Sequence, residues 1–301
     1  MANRIIYWLI AHRKKRAIAA VCQGLSLGYP LFHYFFLKAG KVGWKAGKAC
    51  LTLSFDCDYE EDITALPELL DILDECRISA SFACVGSWIE RFPEIHRSLL
   101  DRGHEIVNHT YTHPDNQVLS PEREFNQLTS DEKRFEIEKC HQVCSDILNY
   151  EPTGFRTPHF GRLFSGDDYQ ILKELGYIYS SSTVATETPA GGQPFVTGEG
   201  IIEIPVSTCP WHPFSVLDSW HTVSERAPNP MHRGSDDFYR IFKKLIDVAI
   251  KTRCYINIYL DPQDVVKIES FISLLKYLAG RKDEIETANY QQVVRIIDRP
   301  E

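Results

Sequence analysis

Residues 50–62, CLTLSFDCDYEED, join a short apolar segment to a dense run of carboxylates. The apolar part, residues 50–56, is rich in residues that favour extended structure, so it predicts a strand. Four leucines at helical spacing then predict an amphipathic helix over residues 63–76. A strand followed directly by a helix is the unit from which α/β folds are built.

The same strand-then-helix pattern continues over about 250 residues, which predicts a parallel β/α barrel or a doubly wound sheet. One long irregular stretch, 207–234, is rich in proline and tryptophan, and a loop of that length is often functional. The predicted strands are 50–56, 79–85, 104–108, 154–156, 177–183, 201–206, 254–260 and 284–287, and the predicted helices are 63–76, 88–102, 120–149, 166–175, 236–251 and 264–280, followed by a terminal helix.

Composition limits the class of protein. The chain has 301 residues, of which 44% are hydrophobic, enough for one domain of barrel size with a substantial core. Its formal net charge of -8 argues against a general nucleic-acid binder. Nine cysteines, an odd number, include no CxxC pair, and several lie in apolar runs. They predict reduced, buried thiols and a reducing, cytoplasmic location.

The first 49 residues differ from the rest, so we predict an N-terminal arm over 1–49 and a catalytic domain over 50–301. Residues 17–37 carry no formal charge apart from a proton on His33 and lie between basic clusters. The run just reaches the roughly 20 residues of a membrane span, but Gln23 and Pro30 interrupt it. Peripheral membrane contact through this arm is favoured equally with packing against the domain or a neighbouring subunit, and both are favoured over a span.

Asp56 and Asp58 are two residues apart and would lie on the same face of an extended segment. Two such carboxylates repel each other unless a cation or a shared proton lies between them. One of them can therefore bind a metal while the other acts as a base. Glu60, Glu61 and Asp62 are expected to form a solvated helix start.

Further polar residues follow other predicted strands at their carboxyl ends. In a β/α barrel these ends open on one face, where active sites form, so the residues are expected to meet there. They are Asp56 and Asp58 after the first strand, Asn108, His109 and His113 after the third, Arg156 and His159 after the fourth, and Asp261 after residues 254–260.

His109 and His113 have the spacing H-x3-H, which places both imidazoles on one side of a helix or tight turn. Alone, the pair could be two surface histidines. Together with Asp58 it predicts a facial site with open positions, suited to a catalytic divalent metal, Zn²⁺ above all.

Three segments, SFDCD, NHTYTH and FRTPHF, resemble in order and spacing the first three motifs of the polysaccharide deacetylases, carbohydrate esterase family 4, also called the NodB homology domain. The resemblance covers roughly residues 50–290. It implies a distorted (β/α)7 barrel that removes N- or O-acetyl groups from sugars, often with Zn²⁺. The form F-D-x-D is similar to a subgroup that includes peptidoglycan deacetylase-like and imidase-like enzymes.

The resemblance also implies roles for individual residues. Asp56 matches the catalytic base, and Arg156 matches the arginine that holds it. Asp58, His109 and His113 match the metal ligands.

The third motif and the long loop supply the expected substrate-binding residues. These are Pro158, His159 and Phe160 of the motif, with Trp211 or Trp220 as the pocket wall. The resemblance further implies that the backbone N–H after Phe160 contributes to an oxyanion hole.

The last motif is where the chain departs from the pattern, because Asp261 stands where the family has histidine. An ordinary aspartic acid is ionised at neutral pH. It can protonate a leaving amine only if burial or Asp56 raises its pKa. His159, His212 or His221 could serve instead, or protein-assisted protonation could be lost.

Three functions therefore compete. The leading one is deacetylation of an N-acetylated sugar in a polysaccharide, glycolipid or lipid-linked glycan. The second is an amidase or imidase acting on a small cyclic amide. The third is a metal-binding but catalytically weak carbohydrate-binding protein, a reading motivated by the missing histidine.

Overall fold

The computed structural model describes residues 48–159, 167–188, 190–226 and 235–297, together with parts of the first 47 residues. Phe160 and the backbone N–H that follows it lie outside the described residues, as does the end of the predicted loop from residue 227 onward.

The described elements alternate along the chain as the sequence predicts. The strands are β1 (Ala49–Cys57), β2 (Ser81–Cys84), β3 (Glu105–Asn108), β4 (Gly154–Phe155), β5 (Tyr179–Ser180), β6 (Phe195–Val196), β7 (Ile202–Glu203), β8 (Tyr255–Leu260) and β9 (Ile285–Thr287). The helices are α1 (Arg16–Gly28), α2 (Glu60–Cys76), α3 (Gly86–Arg91), α4 (Pro93–Asp101), α5 (Ser130–Leu148), α6 (Asp168–Glu174), α7 (Ser219–Thr222), α8 (Ser235–Thr252), α9 (Pro262–Val265), α10 (Glu269–Ala279) and α11 (Tyr290–Ile297).

One curled sheet organises the molecule, with the strand order β6-β7-β5-β4-β3-β2-β1-β8 and with β9 beside β1. Every pairing is parallel except that of β6 with β7. Just past β7, the N–H of Ser207 donates to the backbone oxygen of Asn257 on β8 at 2.9 Å, which draws the two sides of the sheet together. The predicted α/β fold, a distorted barrel, is confirmed.

Strand β1 lies at the centre of the core, and all nine of its residues are buried. The four leucines of α2 that have helical spacing, at positions 66, 69, 70 and 73, are fully buried and pack in the same apolar cluster as Phe55. All nine cysteines are free, and eight of them are buried.

Several predicted helices begin or divide elsewhere. The helix predicted over 88–102 is two helices, because Pro93 has no N–H to continue the first. The helix predicted over 120–149 begins at Ser130. There Thr129 accepts the N–H of Glu132, while the Glu132 carboxylate accepts the N–H of Thr129. This reciprocal cap is a stronger start signal than the Ser-Pro-Glu that begins at residue 120. The predicted helix 264–280 is likewise divided into α9 and α10.

The described part of the N-terminal arm contacts the domain at several points. Leu37 is buried in the main apolar cluster, and its backbone oxygen accepts the Cys254 thiol at 2.8 Å. Trp44 lies 5.5 Å from the ring of Tyr255. Leu25 and Leu27 of α1 are exposed. Within the residues that the structure describes, no helix has the length and apolarity needed to cross a membrane. Peripheral membrane contact stays a prediction.

Gly154 is expected to be intolerant of even one methyl group. A Cβ there would lie 1.8 Å from Cζ of Tyr179, whose buried hydroxyl donates to Glu105 and so holds the ring in place. Gly154→Ala should therefore lower the free energy of unfolding by about 1–3 kcal/mol. Denaturant unfolding measures the change. Gly198→Ala is the matched control, because no atom lies within 4 Å of its added Cβ. Equal unfolding midpoints for the two variants would contradict the packing argument.

Candidate metal centre and its pocket

Parallel register brings the predicted site residues to one end of the barrel. Cys57 at the end of β1 is opposite Cys84 on β2, and Cys84 is opposite Asn108 on β3. Asp56 and Asp58, on either side of Cys57, therefore lie near His109, which directly follows β3. The N–H of His109 donates to the backbone oxygen of Cys84.

The H-x3-H pair lies on a tight turn and not on a helix. Thr110 and His113 have φ values of 67° and 52°, in the left-handed region that such side chains rarely adopt. Side chains hold this turn: Asn108 Oδ1 accepts the N–H of Thr110 at 2.9 Å, and Thr110 Oγ1 accepts the N–H of His113 at 3.0 Å. Glu136 on α5 accepts the two backbone N–H groups between them. The two imidazole rings consequently lie 4.8 Å apart.

Asp58 and the two histidines present their polar atoms to one another. Oδ1 of Asp58 lies 3.2 Å from Nε2 of His109 and 3.4 Å from Nε2 of His113. These atoms are buried, yet none of them has hydrogen-bond geometry with any described residue. Two imidazoles and one carboxylate that converge with no hydrogen bond between them fit a divalent cation. This set of metal ligands is typical of catalytic Zn²⁺ sites.

The electrostatics favour the same interpretation. Burial lowers the pKa of His113 to about 3, so this imidazole is neutral and able to ligate. Burial alone would raise the pKa of Asp58, but His113 and His109 hold it below its usual range. For His109 the effect of burial is outweighed by Asp58 and Asp56, and its pKa is raised. A cation at the centre therefore competes with a proton on His109.

Hydrogen bonds to surrounding groups hold Asp58 and His109 in place. The backbone oxygen of Asp58 accepts Trp88 Nε1 at 2.9 Å and Asn116 Nδ2 at 2.8 Å. Nδ1 of His109 lies 2.8 Å from the backbone oxygen of Arg156, which directs Nε2 toward Asp58. Sequence reasoning missed Trp88 and Asn116, because a contact to a backbone oxygen leaves no motif of its own.

Asp56 lies beside this centre and is held by Arg156. Nη1 of Arg156 contacts Oδ1 of Asp56, while Oδ2 lies 3.9 Å from Nε2 of His109. Both side chains are buried. Burial raises the pKa of Asp56, and the charge of Arg156 opposes that rise.

Asp261 lies on the same face, after β8, and it is buried. Its carboxylate pairs with Arg226 at 2.7 Å, and Arg226 also pairs with Asp264 at 2.9 Å. Burial raises the pKa of Asp261 well above its usual range, with Asp62 and Asp58 adding to the rise and Arg226 opposing it. Burial, one of the two conditions that the sequence suggested for an acid at this position, is therefore the main cause of the rise, and Asp62 and Asp58 add to it in place of Asp56.

Asp62 corrects the prediction of a solvated helix start. Glu60 and Glu61 are exposed, but Asp62 is buried. Its Oδ2 accepts the N–H of Tyr59, and its Oδ1 accepts both the backbone N–H and the side-chain amide of Gln263. Helix α9 packs against α2 and brings Gln263 there, which one segment read alone cannot show. Burial and the charge of Asp58 raise the pKa of Asp62 to about 8.

The family model described as polysaccharide deacetylase matches residues 44–180, the segment that contains Asp58, His109, His113 and Arg156. This segment of the chain is therefore similar to the polysaccharide deacetylase family.

Curated relatives match over part of their length. The chain is 31% identical over 112 residues to a peptidoglycan-N-acetylglucosamine deacetylase of Bacillus cereus, which is 37% of this chain and 37% of that protein. It is 43% identical over 76 residues to a chitooligosaccharide deacetylase of a Bradyrhizobium species, 25% of this chain and 34% of that protein. The chain thus spans about a third of the length of these relatives.

The fold is similar to that of a putative polysaccharide deacetylase from Mycobacterium smegmatis. The TM-score is 0.68 at 20% identity, with 86% of this chain and 97% of that chain covered.

The two tryptophans expected at the pocket wall lie in different surroundings. Trp220 is 40% exposed, and Arg226, the partner of Asp261, lies 5.3 Å from its ring. Trp211 is half-buried against α8, where Arg240 lies 5.5 Å from its ring. Trp220 is therefore the one that accompanies the candidate acid.

The third motif is only partly described. Pro158 is buried. His159 is exposed; its ring lies 4.8 Å from that of His113, and its Nε2 lies 3.8 Å from Asp115. The expected roles of Pro158, His159 and Phe160 in binding substrate stay predictions.

Sequence reasoning missed Asp218, a buried acid of the long loop. Its carboxylate caps α7 by accepting the N–H of His221. Burial raises its pKa to about 7, and the charge of Asp56 contributes to the rise. The motif D-S-W-H-T carries a signal for a helix cap but none for proximity to Asp56.

We expect Asp58→Asn to weaken metal binding at this centre by more than about 100-fold, since changes in surrounding residues alone cost 10–100-fold. The variant removes the anionic ligand and keeps the shape of the side chain. Metal content after dialysis, measured by mass spectrometry, should fall by one equivalent relative to the parent protein. Asp71→Asn, at an exposed carboxylate of α2, is the matched control. Full retention of metal in Asp58→Asn would contradict the assignment.

Proposed function

We propose that this protein is a metal-dependent hydrolase that removes the acetyl group from an N-acetylated sugar in a polysaccharide, glycolipid or lipid-linked glycan. The observation that carries the proposal is the convergence of Asp58, His109 and His113 beside a buried Asp56 held by Arg156. Zn²⁺ is the favoured ion, because two imidazoles and one carboxylate are its usual catalytic donors. The similarity to a peptidoglycan-N-acetylglucosamine deacetylase and to a chitooligosaccharide deacetylase supports an N-acetylated sugar as the substrate class.

The base is Asp56. A divalent cation at the centre would supply Lewis acidity toward the acetyl carbonyl and toward a water. Asp56 is anchored through Oδ1 by Arg156, which leaves Oδ2 on the side of His109 to take a proton from the attacking water. Burial raises the pKa of Asp56, which improves it as a base, and the charge of Arg156 opposes that rise and so favours the ionised form.

The acid is Asp261. Burial raises the pKa of its carboxyl, which favours the protonated form that can donate to the leaving amine nitrogen. The backbone N–H of Asp261 donates to Ser219 Oγ at 2.8 Å, which fixes the residue where the chain leaves β8. Trp220 offers an exposed aromatic face beside Arg226 for the sugar ring.

We also propose that the reaction takes place in the cytoplasm, at the membrane surface. A lipid-linked substrate would give the apolar and basic arm, residues 1–49, a role in peripheral contact with a membrane. The free, mostly buried cysteines suit a reducing compartment, the cytoplasm.

Asp56→Asn tests the base. The substitution keeps the size of the side chain but removes proton acceptance, so kcat for acetate release should fall by about 100-fold or more while bound metal is retained. The assay measures acetate released from N-acetylglucosamine oligomers and from lipid-linked N-acetyl sugars, with Asp71→Asn as control.

The same substrate panel separates the alternatives. A protein that binds metal but releases no acetate and opens no cyclic imide would be a binding protein. Hydrolysis of cyclic imides without release of acetate would support the hypothesis of an amidase or imidase.

Arg226→Gln tests the acid through the pH profile. Deprotonation of Asp261 removes the acid, so the rate should fall as pH rises through the Asp261 pKa. Arg226 opposes the rise in that pKa, and its removal should move the falling limb to higher pH. Arg240→Gln, at the ring of Trp211, should leave the limb in place. If Asp261→Asn shows the parent rate and profile, the acid is another residue.

A further inference from the structure

A second cluster of ligand atoms lies in the loop between β7 and α8, apart from the Asp58 centre. Sγ of Cys209 lies 3.7 Å from Nδ1 of His212, and that nitrogen lies 3.2 Å from Nε2 of His221. The three ligand atoms lie within 4.8 Å of one another. Cys209 and His212 are buried, and His221 is half-buried.

A tight hairpin holds the first two residues. The N–H of Cys209 donates to the backbone oxygen of Ser215, and the N–H of Ser215 donates to that of His212, both at 2.9 Å. The backbone N–H groups of Trp211 and His212 favour negative charge on Sγ of Cys209, as a metal-bound thiolate requires.

His221 reaches the cluster from a separate element. It lies on α7, and its N–H donates to the capping carboxylate of Asp218. The rings of His212 and His221 have centroids 5.1 Å apart and planes at 72°, so they do not stack. A sulfur and two imidazole nitrogens from two separately fixed segments thus converge on one point.

We propose that Cys209, His212 and His221 form a second metal site, suited to a borderline-soft divalent cation such as Zn²⁺. One thiolate and two imidazoles are donors that Zn²⁺ prefers, and the three leave a fourth position for water or another ligand. A cation there would fasten the hairpin to α7. The same loop holds Ser219, Trp220 and Arg226 around Asp261, so the site would position one wall of the pocket. It would also occupy His212 and His221, two of the alternative acids.

Cobalt substitution distinguishes the two centres by their donors. Only the second site has a sulfur ligand, so only that site should give a thiolate-to-Co²⁺ charge-transfer band in the near ultraviolet. The full-length protein loaded with Co²⁺ should hold about two ions per chain and show the band. Cys209→Ser should lose the band and one ion, whereas Asp58→Asn should lose one ion and keep the band. Cys254→Ser, at a partly exposed cysteine away from the cluster, is the matched control.

Folding and function are controlled separately. Circular dichroism and thermal melting verify that the variants are folded, and His221→Gln, which leaves the thiol intact, should weaken Co²⁺ binding and reduce the band. The absence of the band in the parent protein, or its full persistence in Cys209→Ser, would overturn the proposal. Because the readouts are absorption and stoichiometry, they do not depend on deacetylase activity.

Discussion

The ion pair between Arg156 and Asp56 is the constraint around which the barrel interior is built. A buried charge costs several kcal/mol unless its hydrogen-bonding groups are satisfied. Arg156 meets that demand from four directions: it contacts Asp56, the hydroxyls of Ser54 and Ser181, and the hydroxyl of Tyr290. Since these partners come from β1, from the segment after β5 and from α11, one guanidinium ties distant parts of the chain together and fixes the proposed base.

Closure of the sheet extends this network to the other half of the pocket. Asn257 on β8 accepts the Tyr290 hydroxyl, while its backbone oxygen accepts the N–H of Ser207. The loop that begins at Ser207 leads to α7, whose Ser219 accepts the N–H of Asp261. The proposed acid is therefore positioned through the barrel that holds the base, and the hairpin of the proposed second metal site lies on the same loop.

The crowding of carboxylates explains the chemistry available at this face. Asp58, Asp62 and Asp261 influence one another, and burial raises the pKa of the last two. The pKa of Asp58 is lowered instead, because His113 and His109 lie beside it. Ionised and protonated carboxyl groups can thus coexist within one pocket at neutral pH, which is what a reaction with a base and an acid requires.

The sequence by itself determined the alternation of strands and helices, the apolar face of α2 and the face on which Asp58, His109 and Arg156 meet, because periodicity and the polarity of a parallel barrel are local or topological properties. Membrane contact through residues 1–49 stays a prediction, and so do the roles of Phe160 and the other residues expected to bind substrate. Only the tertiary structure decided that Asp62 is buried, that Trp88 and Asn116 hold Asp58, and that Cys209 meets His221. The physical reason is that burial and pKa depend on neighbours distant in the chain, such as Gln263 beside Asp62, and no local pattern encodes them.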